Sequence, residues 1–298
     1  MPEDNLPLTH SEDLEILMHR DAHFSGSFDI MLDYYKNRYK GVMLDFDHER
    51  ILELSDLEKQ MGTNLSATLL SGADAEKVAK AKAAYKNLRA LYENPSKDKK
   101  YALLVADLIL SEDEEAEEEI KAIVAEKGAI VRSLIDLLRA EDFYDPLMPG
   151  YGKAPLLAAK ALGQIGDKRA IISLFEALGE GDFFDEGIEL EALKAIGEPA
   201  KEFLLNVLKS HPINADNEKA ALALIQFKED VQIAKACFEM LQKKEAQKNL
   251  VFATYLVMNC ENLEDTDQKD KLIKMGQDES LDKMLRLDIQ NLTKYWTK

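Results

Sequence analysis

Two stretches of this chain repeat each other about thirty residues apart, and that limits the architectures open to it more than any other property. Ala158–Leu178 reads AAKALGQIGDKRAIISLFEAL and Leu190–Leu208 reads LEALKAIGEPAKEFLLNVL. Ile165-Gly166-Asp167 matches Ile196-Gly197-Glu198 at an offset of 31, and Ala170, Leu174 and Leu178 match Ala200, Leu204 and Leu208 at an offset of 30. A looser third copy is Lys219–Leu241. Upstream, Ser133–Asp145 (SLIDLLRAEDFYD) matches Ser173–Asp185 (SLFEALGEGDFFD) at an offset of 40, the extra length lying in the Pro/Gly-rich insert Pro146–Pro155. Self-similarity on this scale marks stacked supersecondary units, none of which buries its apolar face alone.

Each copy reads as two helices. The first carries small residues on its inner face, Ala158, Ala159, Ala161 and Leu162 in one copy and Ala192, Leu193 and Ala195 in the next. The second carries larger ones, Leu174, Phe175 and Leu178, then Phe203, Leu204 and Leu208. Gly166 and Gly197 stand where the first helix stops, a place that favours left-handed backbone. Asp167 and Glu198 follow at the start of the second helix, where acids suit the dipole. Elsewhere helical periodicity is nearly continuous and strand alternation is scarce. Helices are predicted near 11–19, 27–39, 47–60, 73–93, 97–110, 112–125 and 129–140, with short helices onward to the C terminus.

The segment Ala158–Leu178 resembles a HEAT repeat of the short bacterial kind also found in phycobilin lyase subunits, through the pattern A-x-x-A-L-G-x-I-G-D-x-x-A-x-x-x-L-x-x-A-L. Leu190–Leu208 departs from it at Glu198-Pro199, and the third copy lacks the glycine. The resemblance covers about 129–245 and extends in degenerate form toward 298. It implies an all-α protein, a right-handed α-solenoid of HEAT-like hairpins with the second helices on the concave side. It implies a binding surface and, by itself, no chemistry. The chain is thus expected to divide into an N-terminal helical domain or cap over 1–95 and a solenoid over 96–298. The closing helix is expected at Leu281–Trp296, with Leu285, Ile289, Leu292 and Trp296 on one stripe.

Aligning the second helices predicts the concave surface. One polar position recurs as Asp136, Glu176, Asn206 and Glu239, and a turn earlier lie Arg132, Ile172, Glu202 and Lys235. Mostly acidic with isolated bases, this trough suits a protein or peptide partner with basic segments; the bland alternative is an ordinary solvated helix face. The paired loops Asp142-Phe143-Tyr144-Asp145 and Asp182-Phe183-Phe184-Asp185 are the second expected contact. Phe143, Tyr144, Phe183 and Phe184 either cap the apolar seam between repeats or form an aromatic ridge that anchors a partner.

Charge and inventory narrow the function. With 38 Lys+Arg against 56 Asp+Glu the formal charge is −18. Such a surface repels phosphates, so nucleic acid is not an expected partner. Residues 112–119, EDEEAEEE, read as an acid-rich helix start or a docking site for a basic partner. No apolar run approaches the length of a membrane span, and MPEDNLPL has no signal-peptide pattern. Cys237 and Cys260 sit inside helical patterns as small apolar residues, consistent with a cytoplasmic protein. There is no phosphate-binding loop, no dinucleotide fingerprint and no nucleophile elbow. The expected function is therefore non-enzymatic, a scaffold or adaptor needing no cofactor. The rival is a metal-binding protein or enzyme built on His19, His23, Asp47 and His48, two of them spaced i, i+4. The repeat resemblance alone offers a third, an accessory to a tetrapyrrole lyase.

Overall fold

The computed structural model describes residues 11–37, 39, 46–93, 97–113, 115–179, 186–294 and 296. Among them helix is the only regular secondary structure. The chain divides into two compact units, Met1–Ala158 and Ala159–Lys298. The boundary expected near 95 falls on residues outside the described set, within the range of the first unit.

The first unit contains α1 (Ser11–His23), α2 (Phe28–Asn37), α3 (His48–Met61), α4 (Leu65–Leu69), α5 (Gly72–Glu93), α6 (Lys100–Leu110), α7 (Glu117–Ala125) and α8 (Val131–Leu138). Helix α1 is its hub, packing against α3, α4 and α5. Ile16 and Leu17 of α1 bury against Phe28 and Met31 of α2, Ile51 and Leu54 of α3, and Leu65 of α4. On the opposite side Ala22 meets Ala81 of α5 and Met148. Asp47 caps α3 by accepting from the Glu49 amide at 3.0 Å, and Gly62 at φ 64° stops it with a left-handed turn.

One charge lies wholly inside this core. Arg20 is 0% exposed. Its guanidinium donates to Asp21 at 2.7 and 2.9 Å, to Glu58 at 2.7 Å and to the Ser66 hydroxyl at 2.8 Å. The group stands 4.4 Å from the centre of the Phe28 ring. Glu58 also accepts from the Leu65 amide at 2.8 Å, so a single ion cluster pins α1, α3 and the start of α4 together.

The helix expected over 112–125 begins only at Glu117. Glu112 and Ala116 adopt left-handed backbone, at φ 51° and 42°. Like charges packed along 112–119 disfavour continuous helix, and the chain turns there instead.

Helix α9 (Ala154–Ile165) spans the division between the units. The second unit continues with α10 (Ile171–Ala177), α11 (Glu186–Ile196), α12 (Glu198–Leu208), α13 (Ala215–Leu224), α14 (Val231–Leu241), α15 (Lys244–Lys248), α16 (Leu250–Asn259), α17 (Thr266–Met275) and α18 (Lys283–Thr293). The glycines singled out by their spacing end helices here. Gly166 at φ 70° and Gly197 at φ 81° follow α9 and α11, as their spacing required. Gly163 lets α9 touch α11: a Cβ placed there would sit 2.6 Å from the Cα of Ala192. Phe175 of α10 meets Phe203 of α12 edge-on at 5.4 Å, and Lys201 of α12 pairs with Asp230, the N-cap of α14.

Backbone carbonyls satisfy one buried amide of this unit. Asn217 is fully buried and its amide donates to the Val207, Leu208 and Ser210 carbonyls while its oxygen receives the Asn214 amide, closing the α12–α13 corner. Cys237 and Cys260 are buried, and burial pushes the Cys260 thiol up to about 12, so neither is poised as a nucleophile. The expected closing helix runs only over Lys283–Thr293: Leu285 and Ile289 are buried, while Leu292 is half-buried and Trp296 lies beyond the helix, also half-buried.

Candidate functional site

The most unusual chemistry in the molecule is assembled on α1. Its pitch places His19 and His23 on successive turns of one face, with ring centroids 4.5 Å apart. Aromatic side chains wall them in. Around His19 stand Phe46 at 5.3 Å, Phe24 at 5.4 Å, Tyr151 at 5.7 Å and Tyr35 at 6.4 Å. Tyr151 stacks on His23 at 4.5 Å. His19 is 3% exposed and His23 is half-buried.

A hydrogen-bonded chain orients His23. Its Nδ1 lies 2.8 Å from the Tyr85 hydroxyl, and that hydroxyl donates to Glu112 Oε1 at 2.7 Å. The Tyr85 hydroxyl thus links His23 to the Glu112 carboxylate. His23 is held between the Tyr85 hydroxyl at Nδ1 and the backbone of Leu147. Tyr151 also reaches Glu112 and Tyr85 with its hydroxyl. Glu112 and Tyr151 both hold left-handed backbone, at φ 51° and 52°, uncommon for residues of their kind. Nε2 of His19 and Nε2 of His23 are buried with no hydrogen-bond partner of normal geometry.

Burial governs the protonation of this cluster. Desolvation, joined by the neighbouring His23, holds His19 well below the ordinary imidazole range. Desolvation holds His23 at about 4, although the backbone of Leu147 acts the other way. Burial raises Glu112, opposed by its bonds from Tyr85 and Tyr151, and raises both tyrosines. At neutral pH the site therefore presents two uncharged imidazoles.

The sequence brought His19 and His23 together by their spacing, but not the rest. Asp47 is the exposed N-cap of α3, and His48 is exposed beside it. Among the described residues no three His, Cys, Asp or Glu side chains converge as a metal-ligand set. Tyr85, Glu112 and Tyr151 were invisible in the sequence, because they join from α5, from the turn before α7 and from the loop before α9 across separations of 62 residues and more from His23 that no local pattern encodes.

The expected trough residues lie on helices. Arg132 and Asp136 are exposed on α8 of the first unit. Glu176 is exposed on α10, Glu202 and Asn206 on α12, and Lys235 and Glu239 on α14 of the second. Phe143 is half-buried and packs on the Ala22, Ala81 and Met148 cluster. Tyr144 is also half-buried and donates to the Leu138 carbonyl at 3.0 Å. Phe183 and Phe184 lie outside the described residues.

No protein-family model matches the chain, no curated protein matches it, and no solved structure matches it. No helix among the described residues is long and apolar enough to cross a membrane.

The histidine pair makes the first unit acid-sensitive. Unfolded, both imidazoles take up protons near their ordinary value of about 6.5. Folded, His23 does so only near 4, and His19 lower than its ordinary value. The unfolded chain therefore binds more protons across that window. Stability is complete above about pH 6.5 and falls as pH drops toward 4, by about 3 kcal/mol from His23 alone. Urea titrations at pH 7 and pH 4.5 measure this. The loss should shrink in His23→Gln, and an equal loss in that variant would assign the effect to other groups.

Proposed function

We propose that the repeats from about Ala129 onward form a HEAT-like solenoid that serves as a non-enzymatic scaffold or adaptor, binding a protein or peptide segment with basic groups. The observation that carries this reading is the row of outward polar side chains on α10, α12 and α14: Glu176, Glu202, Asn206, Lys235 and Glu239 are all exposed. Those helices are the second members of successive hairpins. The Phe175–Phe203 contact and the Lys201–Asp230 pair make them neighbours in order. Stacked hairpins with this succession present one continuous face, and such faces are the usual binding surfaces of repeat proteins. The sign of the row and the net charge of −18 both favour a basic segment over an acidic one. The family resemblance supports the same architecture, and a cytoplasmic setting agrees with two thiols kept apart from oxidation by burial.

Peptide-display selection on the full chain tests this. Enriched peptides should carry Lys or Arg beside apolar anchors, and a Glu202→Lys/Glu239→Lys variant with unchanged circular dichroism should lose them by about tenfold or more, given that truncated or reversed charges at such contacts are worth over 1 kcal/mol. Equal retention by the double variant would remove this face from the function.

A further inference from the structure

We propose that residues 141–153 form an acid-released strap, with Tyr151 closed over His23 at neutral pH and lifted away once that imidazole takes up a proton. The device lies in the first unit and is independent of the scaffold reading. Between α8 and α9 the chain makes one short turn, Glu141–Tyr144, and continues through local backbone bonds. The Met148 amide donates to the Asp145 carbonyl at 2.9 Å, Tyr151 to Met148 at 3.0 Å and Lys153 to Gly150 at 2.9 Å. Contacts with α1 and α5 hold this segment down. The Tyr151 ring lies over His23 at 4.5 Å with 28° between the planes, and the Leu147 backbone bonds the same imidazole. Phe143, Leu147 and Met148 pack on Ala22 and Ala81, and Asp142 pairs with Lys80. Tyr151 takes its left-handed φ of 52° between Gly150 at 87° and Gly152 at 78°. A tyrosine holds such backbone only while surrounding contacts enforce it, so the segment is biased to open when they weaken. The α1–α4 core and the Arg20 ion cluster, by contrast, draw no described side chain from it. The strap can therefore lift while that core stays folded.

The titratable groups facing His23 decide the sign of the response. His19 of α1 stands 4.5 Å away with Tyr35 of α2 behind it, Tyr85 comes from α5, Glu112 from the turn before α7 and Tyr151 from the strap. Among the neighbouring charges, Arg20 is matched by Asp21 and Lys80 by Asp142, while Arg89 lies over the Tyr85 ring and acts on Glu112. Closed, the desolvated His23 accepts a proton only near 4; released into water it does so near its ordinary value of about 6.5. The open state thus binds more protons between those limits and gains population as pH falls through them. His19, also held low by burial, pushes the same way. Glu112 opposes, since burial raises its carboxyl and a protonated Glu112 favours the closed state. Two imidazoles against one carboxyl leave the net response acid-opening. His23 alone multiplies the open population about twentyfold between pH 7 and pH 5.

Native-state hydrogen exchange on the full chain, read by NMR and corrected for intrinsic rates, tests this. The amides of Met148, Tyr151 and Lys153 report on the strap, and those of Leu54 and Ser55 on α3. The strap amides should exchange far faster than those of α3 and respond little to low urea, the mark of local opening. Their protection should fall about tenfold or more from pH 7 to pH 5. His23→Gln should flatten that dependence, Glu112→Gln should steepen it, and His48→Gln and His211→Gln should leave it unchanged. Should the His23 variant fail to fold, imidazole ¹⁵N signals of the unaltered chain decide: His23 should stay neutral well below its ordinary value of about 6.5 while the strap amides remain protected. Four results would each overturn the proposal: strap amides equally protected at both pH values, a response that survives in His23→Gln, strap exchange that matches α3 in rate and urea dependence, or a His23 that titrates at its ordinary value beneath a closed strap. None of them bears on the peptide selections, which use the other unit.

Discussion

Replacing Arg20 by methionine is expected to destabilise the first unit by about 3–5 kcal/mol, the usual cost of removing one partner from a buried ion pair. The side chain is 0% exposed and serves three elements at once. Without it, Glu58 keeps only the Leu65 amide, and Asp21 loses both of its guanidinium bonds. Methionine fills much of the volume but supplies no donor, so two carboxylates are left under-satisfied beside the apolar cluster of Phe28 and Met31. Lysine should recover less than half of the loss, because a single ammonium cannot reproduce the fork that reaches Asp21, Glu58 and Ser66 together. The urea midpoint followed by circular dichroism reports the change. A loss below about 1 kcal/mol would mean that the cluster is solvated in a way the burial of Arg20 denies.

The second large effect is expected at Gly163→Val. A Cβ at this position would lie 2.6 Å from Cα and 2.9 Å from Cβ of Ala192, so the obstacle is the backbone of α11 and not a side chain able to swing away. The two helices must separate, and the cost should reach the upper part of the range of about 1–3 kcal/mol for overpacking, or exceed it. Gly187→Ala is the counterpart: nothing among the described residues lies within 4 Å of its added methyl, and alanine is the better helix former by about 1 kcal/mol. Opposite signs for the two variants in the same unfolding assay would show that contact, and not glycine content, sets the sensitivity. A Gly163→Val chain as stable as the wild type would refute the close α9–α11 approach.

Much of the helical layout could be read before any coordinates. The 30–31-residue offsets placed Gly166 and Gly197 after α9 and α11, where their left-handed φ values end those helices. The alternation of small and large residues separated α9 and α11 from α10 and α12 because packing distance is set by side-chain size, which is local information. The i, i+4 spacing of His19 and His23 likewise sufficed to put them on one face. Failures came where local preference met competing charge or distant partners. The acid run from Glu112 carries strong helix formers, yet the helix waits until Glu117. Phe143 could have been an exposed anchor or a packing residue, and only the presence of Ala22, Ala81 and Met148 beside it decided.

The amino-acid order alone determined that the described residues are helical, where α9 and α11 end and that polar positions on α10, α12 and α14 stay exposed, because each follows from periodicity, residue size and turn chemistry within a few dozen residues. Tertiary structure alone decided the protonation and partners of His19 and His23 and the burial of Arg20. Those properties depend on desolvation and on hydrogen bonds from Tyr85, Glu112, Glu58 and Ser66, groups that lie far along the chain and meet only when it folds.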